Sequence, residues 1–151
     1  MREIASDRLT LVPQVAAHAD AMFVVLSDPA IYAYENAPPP SVEWLRERYA
    51  RLETRRSGDG TEHWLNWVVR LADGEPIGYV QATVHASGRA AIAYEFGSAW
   101  WGKGYAREAT QAMAEDLFAV VQSGAVKIRI DQRYPLADVA QAHRDLEARK
   151  T

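Results

Sequence analysis

The chain contains no cysteine, which excludes disulfides, thiolate metal sites and cysteine nucleophiles. It has no long apolar run, so nothing approaches a membrane span. Met1 to Arg8 carries no apolar signal core, and a cytoplasmic location is the resulting expectation. A net charge of −3 gives no general electrostatic case for nucleic acid or an anionic membrane. His18, His63, His85 and His143 are scattered without ligand spacing, so no metal site is expected. What is present is ordinary for a globular protein. Of 151 residues 48% are hydrophobic and 25% charged, enough for one domain, 1–151, with a real core.

Arg8-Leu9-Thr10-Leu11-Val12-Pro13 alternates and reads as a strand that Pro13 terminates. Val15 to Leu26 reads as a helix, with Val15, Ala19, Met22, Phe23 and Leu26 on one stripe and Ser27-Asp28-Pro29 as its end. Ala30 to Pro40 reads as irregular and closes on Pro38-Pro39-Pro40. Ser41 is then the expected N-cap of a second helix through about Arg56, with Trp44, Leu45, Arg48, Tyr49 and Leu52 on its stripe. Strands are expected at His63 to Leu71, Pro76 to Val84 and Ala90 to Phe96. The turns Ala72-Asp73-Gly74-Glu75 and Ser87-Gly88 join them into an antiparallel meander. This order of elements is α+β, without repeated βαβ units.

The stretch from Trp100 to Ala109 carries the chemistry. It follows the last meander strand and leads into a helix expected from Ala106 to Val121. Backbone N–H groups of a first helical turn lack intrahelical partners, and the macrodipole adds partial positive charge there, so phosphate is favoured. Gly102 and Gly104 let backbone approach a pyrophosphate, and Lys103 adds a cation. The plainer alternative is that both glycines only make the turn. Arg107 stands where a dinucleotide fingerprint needs its third glycine, and no Gly-Lys-Ser/Thr completes a Walker loop.

Taken together, these residues resemble the Gcn5-related N-acetyltransferase superfamily, in its ribosomal-protein-acetyltransferase-like branch. Trp101-Gly102-Lys103-Gly104-Tyr105-Ala106 matches the family loop Gln/Arg-x-x-Gly-x-Gly/Ala at Gly104 and Ala106, with Trp101 in place of the polar residue. Arg8-Leu9-Thr10-Leu11 resembles the opening strand and Ser27-Asp28-Pro29 the first helix end. Pro76 to Val80 resembles the third strand and Tyr94-Glu95-Phe96 the fourth. The resemblance covers about residues 3 to 118. It implies a mixed, mainly antiparallel sheet flanked by helices, acetyl-coenzyme A as donor and a primary amine as acceptor.

By the same resemblance, backbone from Gly102 to Arg107 (Lys103, Gly104, Tyr105 and Ala106 between) would bind pyrophosphate beside Trp101, and the strand at Glu95-Phe96 would pair with the pantetheine arm. A backbone N–H near Phe96 would polarise the thioester carbonyl. An amine nucleophile must shed a proton near neutral pH, and Glu95 is the candidate base. A solvent-facing or salt-bridged glutamate is the alternative at that position, and His85 is a weaker candidate base. The five tryptophans, Trp44, Trp64, Trp67, Trp100 and Trp101, are read as core before acceptor pocket. His143-Arg144-Asp145-Leu146 matches a kinase loop by letters alone, with Lys150 where Asn is required.

Residues after Phe118 leave the family pattern. Val121 to Asp138 and Ala140 to Thr151 resemble the C-terminal end of a zinc-independent quinone oxidoreductase, without any dinucleotide fingerprint. Val126 to Ile130 reads as a strand and Leu136 to Arg149 as a helix. Too little chain then remains for the family's closing hairpin, so an open sheet edge and a homodimer are expected. Tyr134 precedes that helix and is not assigned as the acid. The main expectation is an N-acetyltransferase; the rivals are a catalytically impaired acetyl-coenzyme A-binding relative and a quinone-reductase fragment.

Overall fold

A computed structural model describes residues 1–33, 37–86 and 89–122. Among these residues five strands form one antiparallel sheet in the order β1-β2-β3-β4-β5. They are β1 Ile4–Ala5, β2 Leu9–Pro13, β3 Glu62–Leu71, β4 Pro76–His85 and β5 Ala90–Phe96. The α-helices are α1 Ala19–Leu26, α2 Val42–Glu53 and α3 Tyr105–Gln122. The α+β meander is therefore as expected.

The central strand shows why the sheet is covered on both faces. Along β3, Trp67, Val68 and Val69 are all at most 2% exposed, the continuous burial of a strand sandwiched between layers. Successive side chains point to opposite faces. Trp67 and Val69 join Ile77, Val80, Phe96, Ala109 and Met113 beneath α3. Val68 instead joins Met22, Leu26, Leu45 and Tyr49 beneath α1 and α2. Leu45 and Tyr49 lie one turn apart on α2, as Ala109 and Met113 do on α3, so each helix buries a single stripe. Ser41 Oγ accepts the Trp44 N–H at 3.1 Å, capping α2 where the sequence places it.

Three differences from the sequence reading have local causes. The 15–26 segment begins as a 3₁₀ turn, Ala16–His18, before α1. There His18 Nδ1 accepts the Val15 N–H at 3.3 Å, which tightens the entry. The irregular segment contains another 3₁₀ turn, Pro29–Tyr32, for which the Asp28 carboxylate accepts the Ala30 N–H at 3.0 Å. The two-residue β1 has no readable period; its Ile4 pairs with Leu11, and Arg2 is ion-paired with Asp116 of α3. The Ser87-Gly88 turn, the strand expected at 126–130, the helix at 136–149, Tyr134 and the expected dimer edge lie outside the described residues.

Candidate functional site

A cleft of about 600 Å³ opens where β5 meets α2 and the Pro29–Tyr32 turn, lined by Tyr32, Trp44, Arg48, Tyr79, Glu95 and Trp101 among others. Register puts Glu95 there. It is the direct cross-strand partner of Tyr79, and both side chains stand on the α1–α2 face. Tyr94 and Phe96 project to the other face, where their rings meet edge to face at 6.2 Å.

Three tyrosines interact with the Glu95 carboxylate. Tyr32 and Tyr79 hydrogen-bond to it, and Tyr49 feels its charge. Burial first, and the neighbouring Glu95 second, push the Tyr32 hydroxyl up to about 12. The same causes push Tyr49 and Tyr79 upward. All three are therefore neutral hydroxyls at physiological pH. From α2, the Arg48 guanidinium lies over the Trp44 ring at 5.6 Å and counters the upward push on Tyr49 and Tyr79.

The main chain of β5 supplies a second feature. Gly97 N–H donates to Ile77 C=O at 3.1 Å, which makes Gly78 and Phe96 a non-hydrogen-bonded pair of the ladder. The N–H and C=O of Phe96, and of Tyr94 before it, consequently point away from β4. Trp101 folds back so that its indole N–H donates to Phe96 C=O at 2.7 Å. Asp28 fixes the segment between Phe96 and Trp101: its carboxylate accepts the Ser98 N–H at 2.7 Å.

The glycine loop lies directly beyond. Gly102 and Gly104 have φ of +73° and +81°, the left-handed region that side chains disfavour. Both are exposed together with Lys103. The N–H of Glu108 donates to Gly104 C=O at 3.1 Å, so the N–H groups of Tyr105, Ala106 and Arg107 lie ahead of the helical ladder. The loop is braced by Arg8, just ahead of β2. Arg8 pairs with Glu108 at 2.7 Å, donates to Lys103 C=O at 3.1 Å and stacks on the Tyr105 ring at 4.5 Å. Lys103 rests its ammonium on Trp100, 4.5 Å from the ring centroid.

The structure thus brings together Glu95, Phe96 and the whole of Trp101 to Arg107 along one edge. His85 is not among them; its Nδ1 lies 3.1 Å from a Glu62 carboxylate oxygen near the opposite end of β4. The tryptophans divide. Trp67 is core, donating to Arg2 C=O at 3.0 Å, and Trp64 bonds to Glu62 at 3.0 Å. Trp100 packs on the α3 cluster, while Trp44 and Trp101 line the cleft. The sequence reading missed the tyrosines. Tyr79 was findable by pairing β4 with β5, whereas Tyr32, on an irregular segment, offered no signal. Among the described residues no group of three or more His, Asp or Glu is placed to hold a metal, and no helix is long and apolar enough to cross a membrane.

Known proteins are similar to this chain in sequence. The family model for the acetyltransferase (GNAT) domain matches residues 8–133, running past Phe118, where the resemblance in sequence was placed to end. The "Uncharacterized N-acetyltransferase p20" of Bacillus licheniformis is 28% identical over 134 residues, 87% of this chain and 74% of that protein. A quinone oxidoreductase of Pseudomonas aeruginosa is 48% identical over 44 residues, 29% of this chain but only 14% of that protein.

Solved structures share the fold. RimL, a ribosomal L7/L12 α-N-protein acetyltransferase in complex with coenzyme A, superposes with TM-score 0.65 at 18% identity, covering 95% of this chain and 82% of that one. A GNAT-family acetyltransferase from Bacillus anthracis gives 0.62 at 20% identity, covering 80% and 68%. A chimera of spermidine N-acetyltransferase SpeG from Vibrio cholerae and hSSAT gives 0.61 at 23% identity, covering 75% and 64%.

Proposed function

The chain belongs to the acetyltransferase (GNAT) family, and from that premise we propose that it transfers an acetyl group from acetyl-coenzyme A to a primary amine, with Glu95 as the proton acceptor. The observation that carries this reading is a carboxylate on the cleft wall, beside outward-facing main chain of the same strand. Proteins named for acetylating a protein α-amine and spermidine share the fold, and a protein N-terminus or a small amine is the proposed acceptor. Residues 3–118 carry the site within a single domain of 1–151, in a cytoplasmic, metal-independent enzyme.

The loop fits the donor's pyrophosphate. A side chain at Gly102 would meet nothing within 4 Å, so open space lies beside backbone that only glycine holds without strain. The N–H groups of Gly102 to Arg107, at a helix N-terminus, are suited to phosphate oxygens. Trp101 and the outward main chain of Phe96 are suited to the pantetheine arm, in the manner of a strand added to a sheet edge. Acetyl-coenzyme A supplies the thioester that is cleaved. Phe96 N–H is the donor for the carbonyl oxygen as negative charge develops on it.

Glu95 takes one proton from the acceptor ammonium, which frees the nitrogen lone pair. The N–C bond then forms, the C–S bond breaks with its electron pair on sulfur, and the nitrogen's second displaced proton neutralises the thiolate. Glu95 returns its proton to solvent.

Isothermal titration with acetyl-coenzyme A tests the binding half, and no affinity at millimolar ligand removes it. Acetylation of an amine panel, followed by thiol release, tests transfer. Glu95→Gln is expected to keep acetyl-coenzyme A affinity and to lower kcat by about 10²–10⁴; an unchanged kcat removes Glu95 from the mechanism. Binding without transfer to any amine would establish the binding-only alternative.

A further inference from the structure

Two neighbouring rows of side chains on the α1–α2 face differ in chemistry. Val12, Val68, Tyr79 and Glu95 pair across the ladder and form one row. The next row, two residues along each strand, holds three carboxamides and a methyl group. Gln14 N–H donates to Asn66 C=O at 2.9 Å, Asn66 pairs with Gln81, and Gln81 pairs with Ala93. Gln14, Gln81 and Ala93 line the same cleft as Glu95.

This second row is buried without being matched. Gln14 and Asn66 are each 2% exposed, and neither Gln14 Nε2 nor Asn66 Nδ2 has a hydrogen-bond partner among the described residues. Buried polar groups left in that state oppose folding, and a ligand that brings the partner removes the penalty. A carboxamide can be turned end for end, so its neighbour decides the sign of the missing group. Arg55, just past α2, donates through Nη2 to the Gln14 C=O, and its buried Nη1 also lacks a partner among the described residues. Glu53 offsets part of that charge, but its carboxylate accepts the Ala16 N–H at 2.9 Å. A guanidinium has donors only. The missing partner is therefore an acceptor, and a cation does not fit there.

We propose that Gln14, Asn66 and Arg55 form a far subsite of the cleft, which takes a carbonyl or carboxylate oxygen of the acceptor substrate. Adjacent strands lie about 4.8 Å apart, so the three steps from Glu95 on β5 to Gln14 beyond β2 span about 14 Å. Side chains reaching in from both ends leave a gap of roughly three extended residues. The substrate class is then an elongated amine with an oxygen acceptor at its other end. A polyamine would bring a second ammonium to a set of donors. The charged residues of the described lining are Arg48 and Glu95, so that lining offers a polycation no carboxylate beyond Glu95. The proposal rests on the acetyl-transfer reading only for which end of the ligand is the amine.

The probes are trialanine, its C-terminal amide, spermidine and hexylamine, each titrated into ¹⁵N-labelled protein with and without coenzyme A. The side-chain NH₂ signals of Gln14 and Asn66, assigned with Gln14→Met and Asn66→Leu, are expected to shift with the peptides and to stay in place with spermidine and hexylamine. A shift with trialanine alone identifies a carboxylate, and a shift with both peptides a carbonyl. Gln14→Met removes an unmatched donor at similar volume. It is expected to keep Tm at or above that of the wild type, to weaken peptide binding about tenfold and to leave hexylamine binding unchanged. A lowered Tm with equal losses for peptide and hexylamine would show a packing role and overturn the proposal. So would unmoved NH₂ signals, a shift with spermidine, no peptide binding at millimolar ligand, or Overhauser contacts from these groups to a trapped water alone. If a variant does not fold, intraresidue contacts assign the signals in the wild type.

Acetylation assays on the same probes separate the two layers. Transfer to any amine with unmoved signals would keep the transferase reading and remove the subsite. Peptide-induced shifts without acetylation of any probe would keep the subsite and remove the transfer.

Discussion

Gly78→Ala tests how β4 and β5 hold the site. A Cβ at position 78 would overlap the Glu95 backbone carbonyl and stand 2.8 Å from Cδ1 and Cγ of the Phe96 ring. Gly78 lies opposite Phe96 in a non-hydrogen-bonded pair, where strands approach most closely, and the aromatic ring occupies the space the missing side chain leaves. Its φ is not in the left-handed region, so sterics alone decide. Neither neighbour is the free end of a flexible chain: one is ladder backbone, and the Phe96 ring is 4% exposed.

Overpacking of this kind costs about 1–3 kcal/mol, offset by about 0.4–1 kcal/mol from the stiffer unfolded chain. The net loss of about 1–2 kcal/mol lowers Tm by roughly 2–8 °C for a chain of this size. The displacement falls on Glu95 and Phe96 themselves. A shift approaching 1 Å at reacting groups costs about 10²-fold, so if these two act as proposed kcat/KM is expected to fall by about 10- to 100-fold. Thermal unfolding and thiol-release kinetics measure the two effects. A variant with wild-type Tm and wild-type kcat/KM would show that the close approach does not position the site.

Two further changes probe the glycine loop and its brace. Gly104→Ala leaves room, since its Cβ comes no nearer than 3.5 Å to Arg8 Nη2, but φ of +81° costs a side chain about 1–2 kcal/mol. Loop relaxation should weaken acetyl-coenzyme A binding about tenfold by calorimetry, and an unchanged Kd would refute a backbone cradle at that position. Burial alone would raise the Glu108 pKa, but hydrogen bonds from the Arg8 N–H, Ser6 hydroxyl and Arg8 guanidinium hold it below 4.5. The depressed value means stability that is present above about 4.5 and lost as pH falls through the folded value. Glu108→Gln should therefore be less stable at pH 7 and show a flatter decline in acid, read from urea midpoints between pH 7 and 3. Parallel pH profiles for variant and wild type would refute the linkage.

How much was readable depended on whether a feature is local. The meander followed from alternation and Gly-containing turns: Gly74, at φ +88°, turns between β3 and β4 where the sequence reading set it. The Ser41 cap is a hydrogen bond across three residues and was equally readable. The facing of Glu95 against Tyr94 and Phe96 needed only the period of a strand. The Tyr32–Glu95 contact joins residues 63 positions apart (95 − 32). Nothing in their neighbourhoods encodes it, because it arises when α1 and its following turn dock on the sheet. The Arg8–Glu108 brace, 100 positions apart, is hidden for the same reason. Each residue alone reads as ordinary surface charge.

Asp28 has a consequence for how this protein can change. One carboxylate holds Ala30 of the turn that ends at Tyr32, and Ser98 of the segment that leads to Trp101. Tyr32 lies four positions after Asp28 and Trp101 three positions after Ser98. The two walls of the cleft are thus measured from a single post. Side chains facing the cleft can be exchanged without moving that post, but inserting or deleting one residue in either segment shifts its wall against the other. The shape of the cleft is therefore more tolerant of substitution in these segments than of changes in their length.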